Sequence, residues 1–153
     1  EERRKYYDHR DKARRYPNKY LCIMLDGMDQ NKTMIPRQKI STKAFARKKL
    51  IKLNLEGAII HGRGIHGLFY PPIFHHGSTL TIECLMRTLE TLPAIEIPPV
   101  LYLNMDNGWR ENKNQYVFAF LSLLVEHDIF RKVRAINSEF TSSSTWPVNL
   151  PAR

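Results

Sequence analysis

The sequence predicts an α/β protein, a mixed or parallel sheet with helices on its faces. Two continuous apolar runs, YLCIMLD at 20–26 and VLYLNMD at 100–106, have the length of strands buried on both faces. Between them, residues 51–74 alternate apolar and polar positions and break at glycines, as a hairpin does. Two further stretches, 78–92 and 115–130, are apolar enough at helical spacing to cover such a sheet.

The elements follow in order. EERRKYYDHRDKARRY is dense in mixed charge and stops before Pro17, so residues 1–19 are expected to form a charged helical extension. YLCIMLD is the first strand, ended by Asp-Gly. Residues 27–50 are a long basic connection, too poor in apolar side chains for core. IKLNLEGAIIHGR and IHGLFYPPIF form the hairpin, turning at Arg63-Gly64. Ser78 or Thr79 can cap a helix in which Ile82, Leu85, Met86 and Leu89 recur at i, i+3, i+4 and i+7, with Pro93 closing it. VLYLNMD is a second buried strand, again ending on aspartate. Gln115–Phe130 is apolar almost all round, a buried helix, and KVRAIN at 132–137 is a plausible last strand. The core is thus expected over 20–137, and SEFTSSSTWPVNLPAR, 138–153, reads as an unpacked tail.

Composition sets the outer limits. A chain of 153 residues, 42% hydrophobic and 25% charged, suits one globular domain. At this length folding buries roughly 70% of the unfolded surface, so no metal or disulfide staple is required. The longest strongly apolar stretch, Tyr116–Val125, is too short to span a bilayer, and the charged start does not read as a secretory leader. Cys22 and Cys84 lie in apolar runs and read as buried thiols of a reducing compartment. These features predict an intracellular protein with no membrane partner and do not by themselves separate nuclear from cytoplasmic residence.

The net charge of +9 is unevenly spread. Residues 1–20 carry eight Lys and Arg against four acids, and residues 31–52 carry eight against none. Such stretches can neutralise phosphates and release counterions, or can be a solvated basic surface. Lys32, Arg37, Lys39, Lys43, Arg47, Lys48 and Lys49 are therefore candidate nucleic-acid contacts. Arg110 and Lys113, just after the second strand, could orient phosphates or form an ion-pair rim.

Asp26 and Asp106 each close an apolar strand. If those strands are parallel neighbours, both carboxylates stand where ligands of α/β sheets gather. Paired carboxylates suit a hard divalent cation, because Mg²⁺ takes oxygen ligands and keeps reactive waters. Asp-Gly and Asp-Asn-Gly are equally ordinary turn signals. Asp29, three residues past Asp26, is a weaker ligand candidate that could instead bind its own turn backbone. Six histidines include His61, His66 and the pair His75-His76, whose spacing fits hairpin and loop positions better than a zinc site. No P-loop, GxGxxG or GxSxG occurs.

The blocks YLCIMLDGMDQNKT, GAIIHGRG, STLTIECLMRTL and PPVLYLNMDNGWRENKNQYVFAFLSLLVEHDIFRKV together resemble a recurrent, functionally unassigned domain of transposon-derived eukaryotic proteins, over about residues 16–134. That domain is similar to the ribonuclease-H-like core of transposases and integrases. The resemblance implies a mixed sheet flanked by helices, in which acidic residues of a DDE/D site bind two Mg²⁺ or Mn²⁺ ions for DNA cleavage and strand transfer. It puts the first acid on Asp26 and the second on Asp106. The family's last strand is followed by a block of the form GHTHEDID, which is implied to supply the third acid. Here KVRAIN runs into SEFTSSS, and Glu139 is the only acid downstream. The sequence thus leads to three expectations: a core incomplete or altered at its C-terminal end, poor metal binding, and no cleavage activity. The alternative is a domesticated module that binds nucleic acid or protein without catalysis.

Overall fold

The computed structural model describes residues 2–28, 33–36, 49–75, 77–105, 115–135 and 138–141. In these residues the predicted α/β architecture is present. Helix α1 (Glu2–Arg15) precedes β1 (Tyr20–Gly27), and β2 (Asn54–Ile60) and β3 (Gly64–Tyr70) form the hairpin. Helix α2 (Ser78–Glu90) leads through a single 3-10 turn at Ala94–Glu96 into β4 (Val100–Met105), followed by α3 (Gln115–Glu126), β5 (Lys132–Ala135) and β6 (Ser138–Thr141).

The six strands lie in the order β3-β2-β1-β4-β5-β6. β1, β4 and β5 run parallel, whereas β2 is antiparallel to both β1 and β3, and β6 is antiparallel to β5. This mixed sheet, covered by helices, is consistent with a ribonuclease-H-like α/β fold.

Strand alternation divides the buried side chains between two layers. Leu21, Ile23 and Leu25 of β1 face the same side as Ala58, Ile60, Leu101, Leu103 and Val133. There they meet Leu85 and Leu89 of α2 and Val117, Leu121, Leu124 and Val125 of α3. On the other side Cys22 and Tyr102 pack against Ala13 of α1. The two apolar runs therefore read as continuous because both of their faces are covered.

The structure departs from the sequence reading in several places. Neither Ser78 nor Thr79 caps α2: Gly77 is the N-cap residue, and no side chain bonds the free amides there. Met86 is 40% exposed, and Cys84 and Thr88 join Leu85 and Leu89 on the buried stripe. Thr88 can turn inward because its hydroxyl donates to the Cys84 carbonyl at 2.7 Å. α3 stops at Glu126, where Asp128 takes a positive φ of 56°. Phe130 still reaches the core, fully buried, beyond the helix end. Ser138–Thr141, assigned by sequence to the tail, pair with β5 as the edge strand β6. The hairpin turn falls at His61–Arg63, with Gly62 at φ +83°, a backbone conformation in which a side chain would be strained.

Candidate functional site

Asp26 is exposed near the carboxyl end of β1. The parallel β1–β4 register runs from Tyr20↔Val100 to Leu25↔Met105 without offset. Its last described pair thus precedes Asp26 on one strand and Asp106 on the other by one residue each. Asp106 and Asp29 lie outside the described residues, as do Lys32, Arg37, Lys39, Lys43, Arg47, Lys48, Arg110 and Lys113. Lys49 is described, and it is exposed.

Alternation sets the face on which Asp26 stands. It follows Cys22 and Met24 on the α1 side of the sheet, and its partner on β2 is Gly57. Glu56, the nearest strand acid, pairs with Gly27 on the opposite face, where its Oε2 lies 3.3 Å from the position a Cβ on Gly27 would take. Among the described residues of β1 to β5, Asp26 is therefore the one carboxylate on this face. Among the described residues no three His, Cys, Asp or Glu side chains come together to hold a metal ion. By themselves these residues do not fit a metal pair.

Under α1 lies an array of polar and aromatic side chains. The Tyr6 hydroxyl is 3.0 Å from Nε2 of His61 and 3.6 Å from the sulfur of Met24. Asn104, in register with Met24, donates to Sγ of Cys22 at 3.6 Å. His9 stacks flat on Tyr102, the ring centroids 3.9 Å apart. Burial, then the nearby Arg134, holds His9 below its ordinary pKa; burial, then Arg14 and Arg10, does the same for His61. Tyr6 and Tyr102 are pushed up, chiefly by burial.

The sequence pointed to Asp26 but not to Asn104, Tyr6 or His61 as a group. Asn104 sits inside an apolar run that hides its alternation, and Tyr6 and His61 are 55 residues apart. His66 lies on β3 paired with Ala58, and His75 is exposed, so neither joins His61. His76 lies outside the described residues.

Together these features define a mixed-sheet α/β domain with a carboxylate at the end of a central strand. The chain belongs to the family described as "Domain of unknown function (DUF7869)", whose model matches residues 43–137. β6 lies beyond that match. A comparison with curated proteins finds no match. Among solved structures the chain is similar to one titled "Crystal structure of the Mos1 Strand Transfer Complex", at a TM-score of 0.49 and 11% identity. The similarity covers 92% of this chain and 41% of that one, so this chain spans about two fifths of its length. No described helix is long and apolar enough to cross a membrane.

Proposed function

We propose that the domain is a transposase- or integrase-type core that engages DNA, with Asp26 and Asp106 as the remaining carboxylates of a Mg²⁺ or Mn²⁺ site. The observation that carries this reading is the unshifted parallel register of β1 and β4, which ends one residue before each aspartate. Parallel neighbours in register favour delivery of their next residues at the same level, on the same face. Bound divalent cations would supply charge neutralisation at a phosphodiester and an activated water.

The domain by itself does not cleave DNA in this reading. The chain after β5 turns back at once as β6, in the position where the resembled family carries its acid-bearing block. Two carboxylates hold a metal pair weakly, and the basic segments then support DNA binding without catalysis. Titration of Mg²⁺ or Mn²⁺ followed by amide NMR tests the site. Expected are shifts confined to residues around 26 and 106 and lost in Asp26→Asn, with no nicking of plasmid DNA. Shifts spread evenly over the acidic surface, or unaltered in Asp26→Asn, would remove the metal site from the proposal.

A further inference from the structure

We infer that Phe69 is a stacking platform for a base of single-stranded DNA, on the same face of the sheet as Asp26. The inference rests on the DNA-engaging reading above, but not on metal binding.

Three strands contribute one transverse row on the α1 side of the sheet: Asp26 pairs with Gly57, and Gly57 pairs with Gly67. Gly57, the middle position, carries no side chain, and Gly67 at the edge lies under the side chains of Leu55 and Phe69. Two interstrand spacings, about 10 Å, separate the ends of the row. Phe69 stands two residues along β3 on the same face, and its ring leans over Gly67, Cε2 lying 3.7 Å from the position a Cβ there would occupy. Leu55 backs it from β2, its Cδ1 3.3 Å from that same position. The ring is thus seated on the sheet yet 65% exposed. Ile65, on the same face beyond Gly67, is 77% exposed.

An aromatic ring supported from below and open above suits base stacking, which contributes in a largely sequence-independent way. Charge argues for a polyanion rather than an apolar peptide. The chain enters β2 through exposed Lys49 and Lys52, six and three residues before Leu55, the partner of Phe69, in the segment 31–52 that carries eight cations and no acid. Stacked bases need cations for their phosphates, and the described residues that lead into this end of β2 supply Lys49 and Lys52.

The test is binding of a fluorescently labelled oligothymidylate of about eight nucleotides, followed by anisotropy in EDTA, so that metal binding plays no part. Phe69→Ala is expected to weaken binding about ten-fold with the salt slope unchanged, and Phe69→Leu, which keeps Gly67 covered, is expected to lose nearly as much. Phe69→Trp is expected to restore affinity and to show indole quenching on binding. An abasic strand of equal length should bind all four proteins alike. Equal affinity of wild type and Phe69→Leu for the oligothymidylate overturns the inference. So does a wild-type preference for RNA of the same sequence, or an effect of Phe69→Leu seen only as loss of self-association in sedimentation. Failure of the Asp26 metal titration with retention of the Phe69 effect would leave stacking intact and remove the metal site alone.

Discussion

Tyr6 in the second turn of α1 and His61 at the β2–β3 turn meet at 3.0 Å, hydroxyl to Nε2, and so fasten the N-terminal helix to the sheet. The contact matters because α1 has little apolar surface with which to dock. Ala13 is its one fully buried side chain among the described residues. Tyr6→Phe keeps the ring and removes the bond, leaving a partly buried histidine nitrogen without this partner. The expected cost is about 1 kcal/mol, read from urea unfolding, with faster amide exchange along α1 than along α3.

The same layer makes the docking of α1 sensitive to acid. His9 and His61 both have folded pKa values below the ordinary 6.5. Above about pH 6.5 neither the folded nor the unfolded form binds these protons, and stability is complete. As pH falls below that value the unfolded chain takes up protons that the folded chain resists, so stability declines until the folded values are passed. Urea midpoints measured between pH 7.5 and 5 should fall, and His9→Gln with His61→Gln should flatten the decline. A profile unchanged by the double substitution would assign the acid sensitivity to other groups.

Both thiols are placed to be unreactive. Cys22 is fully buried beside Asn104 and Cys84 is 4% exposed on α2, and burial pushes each thiol up to about 12. A thiolate is the nucleophile, and at pH 8 almost none exists at either site. Iodoacetamide at pH 8 should leave both unlabelled in the folded protein and label both in urea, as read by mass spectrometry. Rapid labelling of native Cys22 would show that α1 opens readily.

The parts of the fold legible in the sequence are those where one periodicity acts alone. YLCIMLD and VLYLNMD were readable as strands because both faces are covered, and the hairpin because alternation breaks at Gly62 and Gly64. β6 was not, since Ser-Glu-Phe-Thr is four residues at an edge with too little apolar content to stand out from the polar tail. The α2 cap is not legible, because Ser78 and Thr79 both have the right chemistry while the chain puts Gly77 at the N-cap and uses neither. Asp26 was legible as a strand end, but its face follows from alternation only once the Gly57 register is known. The Gly57–Gly67 row and the Tyr6–His61 bond are products of strand pairing and helix docking, which no local pattern encodes.

Arg63 is expected to behave as a fork rather than as a charge. From the hairpin turn its Nη2 donates to the carbonyls of Pro17 at 3.2 Å and Glu96 at 2.9 Å, and its Nη1 lies 3.4 Å from the Glu96 carboxylate. One side chain thus ties the α1–β1 turn and the 3-10 turn before β4 to the β2–β3 turn. The carboxylate is well exposed, so that ion pair contributes little. The bonds to the two carbonyls, made by a charged donor that is only 18% exposed, contribute more. Arg63→Ala should cost about 2 kcal/mol, and Arg63→Lys nearly as much, because an ammonium cannot reach both carbonyls in the guanidinium's geometry. Glu96→Gln should change stability by less than about 0.5 kcal/mol. If Arg63→Lys retained full stability in urea unfolding while Glu96→Gln lost it, charge rather than the fork would hold the three turns together.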